Sequence, residues 1–144
     1  VEAMREVLMA HVTVLTPNLP EAAALLGASI DGAPLPEVAA ALREQLGAQA
    51  ILLKAGHAEV TGASIRDAWA DADGARWLAP RARLDVGDVR GTGCQLSSAL
   101  AAGLACGLTP REAAERARRY LWDLLRRRAR RIGRGRAVVV RAGG

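Results

Sequence analysis

Apolar positions fall into two rhythms along this chain, and together they predict strands alternating with helices. Val12–Leu15 and Ala50–Lys54 are short apolar runs of strand length and read as buried strands. Between them, Asn18 followed three residues later by Glu21 has the spacing of a capping box. A helix over Ala22–Leu26 is therefore expected, stopped by Gly27. Ala33–Pro36 opens a second helix, about Glu37–Leu46, closed by Gly47. Residues 2–9 read as the end of an earlier amphipathic helix.

Further on, Asp71-Ala72-Asp73-Gly74 separates two Trp-bearing, strand-like stretches, Asp67–Ala70 and Arg76–Leu78, which is a hairpin pattern. Arg81–Arg90 reads as loop. Cys94–Cys106 carries small apolar residues on most faces, predicting a buried helix ended by Gly107. Thr109-Pro110-Arg111-Glu112 combines a cap, a proline at the first helical position and a capping-box Glu. Behind it Ala113, Ala117, Tyr120, Leu121, Leu124 and Leu125 recur at helical spacing. Glu112–Arg116, Glu115–Arg119 and Asp123–Arg127 form favourable i,i+4 pairs on the wet side. Ala137–Val140 reads as either a strand or an untethered tail.

This order predicts an α/β fold, a mostly parallel sheet covered by helices, with a β-hairpin. Two buried strands are few for such a sheet, and the first residues read as mid-helix, so a part of a larger fold is expected. The expected organisation is one unit over residues 1–132 and a tail over 133–144. A length of 144 residues suits one ordinary domain. The composition, 51% hydrophobic and 24% charged, excludes wholesale disorder. Only 3% is aromatic and Phe is absent, so Ala, Leu and Val are expected to build the core.

The net charge of +5 is unevenly placed. Residues 111–144 hold twelve Arg against Glu112, Glu115 and Asp123, a balance of +9, while residues 1–110 balance at −4. A basic end of this kind serves a polyanion or a solvated helix face, and the i,i+4 pairing favours the latter. With few aromatics and no reading motif, a nucleic-acid partner is not expected. Cys94 and Cys106, twelve residues apart on one helical pattern, lie roughly 18 Å apart. A disulfide needs Cα atoms within about 7 Å, so they do not pair with each other, and a reducing cytoplasm fits. No apolar run reaches the roughly 18 residues of a membrane span, and Glu2 and Glu6 argue against a signal peptide at the start.

Three segments carry candidate chemistry. Gly91-Thr92-Gly93-Cys94 stands at a helix start, where glycines admit a ligand to the backbone and free N–H groups favour an anion. The bland alternative is a glycine turn before a small core cysteine. Asn18 and Glu21 are either a helix cap alone or a pair of oxygens presented to a hydrated Mg²⁺. Lys54, the only lysine beside nineteen arginines, ends a strand before Ala55-Gly56-His57. It either turns to solvent or meets a ligand beyond the carboxyl ends of the strands. All three are expected at one edge of one sheet, where a cation, a metal-binding pair and an anion-binding helix start would handle a nucleoside triphosphate.

Thr16-Pro17-Asn18-Leu19-Pro20-Glu21-Ala22 with Leu25-Leu26-Gly27 resembles the T-P-N-x-x-E-A…L-L-G segment of hydroxymethylpyrimidine/phosphomethylpyrimidine kinases, members of the ribokinase-like superfamily. Leu53-Lys54-Ala55-Gly56-His57 is similar to that family's K-G-G-H, and Gly91–Ala105 is similar to its G-T-G-C-T-x-S-A-A-I-A-A-x-L-A signature. The resemblance runs from about residue 1 to 131 and implies a partial ribokinase-like fold. It implies transfer of the γ-phosphoryl group of ATP to hydroxymethylpyrimidine or its monophosphate, in thiamine biosynthesis. Carried over by position, Asn18 and Glu21 organise Mg²⁺ and phosphates, and Lys54 lies near the nucleotide phosphates. Gly91, Thr92 and Gly93 form the anion hole, and Cys94 takes the place of the catalytic Asp of other ribokinase-like enzymes.

The departures are specific. The glycine after the lysine is Ala55, the histidine before G-T-G-C is Arg90, and the threonines of a D-T-x-x-T run are Val86 and Val89, with Asp85 retained. The resemblance covers only the C-terminal half of the family, which carries most of the nucleotide side and little of the substrate side. Weak or no kinase activity is expected of this chain alone, together with self-association or a companion N-terminal half. The rival expectations are a non-catalytic nucleotide-binding or regulatory module and, behind it, a basic nucleic-acid binder.

Overall fold

Two short β-branched and aliphatic runs pair side by side and seed the first part of the chain. In the computed structural model, which describes residues 7–56, 63–86, 89–131 and 137–139, β1 (Val14–Leu15) lies parallel to β2 (Ala50–Leu53). Two helices, α1 (Leu19–Leu26) and α2 (Leu35–Leu46), connect them. Each helix ends on a glycine, Gly27 and Gly47, as expected. The apolar face of α2 buries Val38, Ala39, Leu42 and Leu46. These pack with Ala22 of α1 and with Ile51, Leu53, Ala68 and Ala70 on one face of the sheet. Full burial of a side chain such as Leu42 contributes about 1.5–3 kcal/mol.

The hairpin forms as the sequence predicts: β4 (Ala68–Asp71) turns into β5 (Gly74–Trp77), with Asp71 opposite Gly74. The turn is tied by Asp71, whose carboxylate accepts from the Asp73 N–H at 3.0 Å and from the Trp69 indole at 2.5 Å. β4 then lies antiparallel on β2, giving the order β1-β2-β4-β5. The expected mostly parallel sheet is therefore mixed in its strand directions, within an α/β fold. The reason is the connection. Among the described residues the chain reaches β4 through β3 (Ser64–Ile65) with no crossover helix, and a parallel return needs such a crossover.

A third buried strand also corrects the reading of two. Ala68, Trp69 and Ala70 are all buried, and Trp69, facing Leu52 across the ladder, is the largest fully buried side chain. The core expected from Ala, Leu and Val thus also holds Trp69 and Ile51. Nor is Arg81–Arg90 all loop: β6 (Arg81–Ala82) pairs antiparallel with β3, and β7 (Val89–Arg90) is a strand. At the start, Val7 and Leu8 are helical and Met9–His11 forms one 3₁₀ turn, while residues 2–6 of the expected 2–9 helix lie outside the described residues.

The structure divides into two compact units, Val1–Arg83 and Leu84–Gly144. In the second, α3 (Thr92–Ala105) packs along α4 (Pro110–Arg128). Their approach is close, because a Cβ on Gly103 would sit 3.0 Å from the Ala113 Cβ. A small sheet completes the unit, with β9 (Ala137–Val139) parallel to β7 and antiparallel to β8 (Ala129–Arg131). Ala137–Val139 is therefore strand, and Val140 lies outside the described residues.

α4 begins as the sequence predicts. The Glu112 carboxylate accepts from the Thr109 N–H at 3.0 Å and from its hydroxyl at 2.6 Å, while the Glu112 N–H donates to the Thr109 hydroxyl oxygen at 3.4 Å. Glu115 pairs with Arg118 at i,i+3, and Arg118 is itself buried, a placement the wet-side reading of α4 does not contain. The prediction that α3 is buried on most faces is corrected. Leu96, Leu100 and Gly103 are buried, but Cys94, Gln95, Ser97, Ser98, Ala101, Ala102, Ala105 and Cys106 are exposed. Packing along α4 covers one stripe of α3 and leaves the rest to solvent.

Candidate functional site

The carboxyl ends of β1 and β2 bring two predicted residues together. Three residues past the end of β1, Asn18 bridges to Lys54, directly after β2, in parallel register. The Lys54 N–H donates to the Pro17 carbonyl oxygen at 2.9 Å. Asn18 and Lys54 are thus neighbours at one sheet edge, both half-buried. The sequence placed them there by strand ends alone; the ladder supplies the register.

Asn18 is also the N-cap of α1, and the capping box is complete. Its side-chain oxygen accepts from the Glu21 N–H at 2.8 Å, and the Glu21 carboxylate accepts from the Asn18 N–H at 2.8 Å. The cap reading is therefore real, and it leaves room for more. An amide oxygen has two lone pairs, and a carboxylate has two oxygens with about four acceptor sites. Glu21 is exposed, so its remaining capacity faces water. Such a pair fits Mg²⁺ that keeps most of its own waters, the usual habit of this ion beside phosphates. It does not make a dry metal cage: among the described residues no group of three or more His, Cys, Asp and Glu gathers as ligands.

Beyond Lys54 the chain turns inward. Ala55 is buried, and its N–H donates to Asp67 Oδ1 at 2.9 Å. Asp67 was not singled out by sequence, because the bond joins residues twelve apart and only sheet pairing reveals it. His57, the last residue of the Lys54–His57 resemblance, lies outside the described residues.

In the second unit, Gly91 adopts φ +81°, a left-handed conformation that side-chain-bearing residues resist. It starts α3 without any capping side chain. The first-turn N–H groups of a helix have no intrahelical partner, so Thr92, Gly93 and Cys94 present the donors that an anion would need. Thr92 and Gly93 are half-buried, and Cys94 is an exposed free thiol, not the small core cysteine of the bland reading. Of the departures, Val89 is buried in β7 while Arg90 is exposed.

Elsewhere, an open groove along α4 mixes Glu112, Glu115 and Asp123 with Arg116 and Arg119 and holds none of the predicted site residues. Among the arginines of the basic end, Arg118 is committed to Glu115, and Arg126 lies over the Trp122 ring at 5.2 Å. Among the described residues no helix is long and apolar enough to cross a membrane.

Comparison with solved structures places this architecture among the ribokinase-like α/β proteins. Pyridoxal kinase of Bacillus subtilis, solved as an ADP complex, superposes with a TM-score of 0.84 at 27% identity over 96% of this chain and 53% of its own. Staphylococcus aureus pyridoxal kinase with AMP-PCP gives 0.85 at 26% identity, over 96% of this chain and 50% of its own. The chain belongs to the phosphomethylpyrimidine kinase family, whose profile matches residues 1–140. It is 39% identical over 142 residues to the hydroxymethylpyrimidine/phosphomethylpyrimidine kinase of Rhizobium meliloti (strain 1021), covering 96% of this chain and 52% of the relative. It is 37% identical to the thiamine biosynthesis bifunctional protein ThiED of Geobacter sulfurreducens, covering 96% of this chain and 28% of that protein. The chain thus spans about half the length of the kinase relatives it matches.

Proposed function

We propose that this chain is the nucleotide-handling half of an ATP-dependent phosphotransferase of thiamine biosynthesis, with hydroxymethylpyrimidine or its monophosphate as acceptor. The observation that supports it most is the juxtaposition of Asn18 and Lys54 at the carboxyl ends of two parallel strands, where ligands of α/β sheets bind. Lys54 is the cation for the nucleotide phosphates, and Asn18 and Glu21 hold the water shell of Mg²⁺. When bound, that ion neutralises charge on the phosphates. The backbone N–H groups of Gly91, Thr92 and Gly93 stabilise charge on the transferred phosphoryl group, donors of fixed direction that need no reorganisation. Cys94, as the thiolate, accepts the proton of the substrate hydroxymethyl group as its oxygen bonds to the γ-phosphorus and ADP leaves.

Half of the family's length supplies half of the orientation, so the chain alone turns over weakly or not at all. We further propose that it works joined to a companion N-terminal half or, failing that, to a second copy. Val7 and Leu8 are exposed, and among the described strands β1 ends its sheet with half-buried apolar residues, features that a partner would cover. Exposed free thiols at Cys94 and Cys106 suit a reducing cytoplasm.

The test is calorimetric titration of MgATP into the chain, with ADP release followed after adding hydroxymethylpyrimidine. Saturable binding that weakens in Lys54→Ala, and slowed turnover in Cys94→Ser wherever turnover is measurable, are expected. Unaltered binding in Lys54→Ala and unaltered turnover in Cys94→Ser would defeat the assignment. Binding with no ADP release selects the non-catalytic nucleotide-binding module, a reading favoured by the half-length alone.

A further inference from the structure

The peptide that carries Lys54 is held from both sides. On the β1 side its own N–H donates to the Pro17 carbonyl oxygen at 2.9 Å. On the β4 side the next N–H, that of Ala55, donates to Asp67 Oδ1 at 2.9 Å. Here the ladder between β2 and β4 runs out: Leu53 pairs with Ala68, the last register pair at this end. The Asp67 side chain takes over where the backbone stops, while its own carbonyl oxygen accepts from the Leu78 N–H at 2.9 Å. Asp67 is therefore tied by its main chain to Leu78, just past β5, and by its carboxylate to the lysine segment.

The surroundings make this bond consequential. Ala55, Ala68 and Leu78 are all buried. An N–H left without a partner in such a place carries its full desolvation cost, so the segment would shift to find another acceptor. A carboxylate acceptor makes a stronger bond than a neutral one, and more so away from water. Ala55 stands where the family resemblance has a glycine, so the chain after the lysine has fewer backbone conformations to begin with. The bond selects one of them.

We propose that Asp67 is a positioning residue for Lys54: by fixing the Lys54–Ala55 peptide beside Asn18, its carboxylate sets where the ammonium is presented to a phosphate. The inference rests on the reading of Lys54 as the phosphate-binding cation. It assigns Asp67 no contact with the nucleotide.

The test exploits the fact that Lys54 is the only lysine in the chain. Its acylation by an amine-reactive ester is read by peptide mass spectrometry, with and without MgATP, in the unaltered chain, Asp67→Ala and Asp67→Asn. Exchange of the Ala55 N–H is followed by NMR in the same three proteins. MgATP is expected to slow Lys54 acylation in the unaltered chain. Asp67→Ala reduces that protection by about tenfold, the factor carried by one hydrogen bond to a charged group, and quickens Ala55 exchange. Asp67→Asn, which keeps the Oδ1 acceptor, restores most of both. Loss of protection without rescue by Asn overturns the proposal, as does undiminished protection in Asp67→Ala. If MgATP protects Lys54 in no protein, the nucleotide reading fails and this proposal's ligand role fails with it. Ala55 exchange then reports the positional claim separately, upheld if quickened only in Asp67→Ala and overturned if unchanged.

Discussion

Asn18 caps α1, and the proposed function gives the same side chain a second role toward MgATP, so the two can be measured apart. As a cap it satisfies a helix N–H at the start of α1, worth about 1 kcal/mol in comparable helices. Asn18→Ala should lower stability by about that amount, a fall in melting temperature of about 4 °C for a chain of this size. Asn18→Ser, still a good cap, should recover the melting temperature; MgATP affinity measured in parallel should stay low, because the amide is gone. Recovery of both would leave Asn18 a cap only. At the other capping box, the Thr109 hydroxyl, the Thr109 N–H and the Arg111 charge hold the Glu112 carboxyl below its ordinary range. A carboxyl whose folded value is depressed adds stability above its ordinary value, and that addition is lost as pH falls through the depressed one. Denaturant unfolding between neutral and strongly acid pH should therefore show an acid limb that Glu112→Gln reduces. An unchanged limb would mean that the Thr109 bonds do not persist in solution.

At the scale of elements, α3 and α4 meet where both are smallest. The Cβ that Gly103 lacks would lie 3.0 Å from the Ala113 Cβ and 3.2 Å from its Cα, and a helix backbone cannot step aside as a flexible side chain does. Gly103→Val should destabilise the second unit by about 2 kcal/mol through overpacking, measured by urea unfolding. In the first unit, Trp69 of β4 is fully buried opposite Leu52 of β2. Trp69→Ala should cost about 3–5 kcal/mol and release the Asp71 carboxylate from the indole N–H. Elements bounded by local chemistry were legible in the sequence. The Asn18/Glu21 and Thr109/Glu112 boxes, Gly27 and Gly47 act within a few residues, and each stands where the spacing put it. The burial of α3 was not legible, because its composition says only that every face tolerates packing, not which faces have a neighbour.

For the whole molecule, the governing fact is that it spans about half of its kinase relatives. Exposed Val7 and Leu8, the half-buried strand β1 and the mostly exposed α3 are what an incompletely covered α/β fold displays. Sedimentation of the chain alone should show self-association. Adding a separately produced N-terminal half of a family kinase should convert it to a one-to-one complex with raised ADP release. A well-behaved monomer indifferent to that half would argue against the partner proposal. The Asn18–Lys54 pairing was foreseeable in outline, since Asn18 follows one predicted strand and Lys54 ends the next. Asp67 and buried Arg118 were not, because each is defined by a contact made after the chain has folded.

The amino-acid sequence by itself determined the α/β class, the helix starts and stops, the hairpin turn and the family, since all of these depend on residue types at short, fixed spacings. Only the tertiary structure decided the strand directions of the sheet, the burial of Trp69 and Arg118, the open faces of α3, and the carboxylate that anchors the lysine segment. Those depend on which distant segments come to lie side by side, and chain distance carries no energy of its own until contact is made.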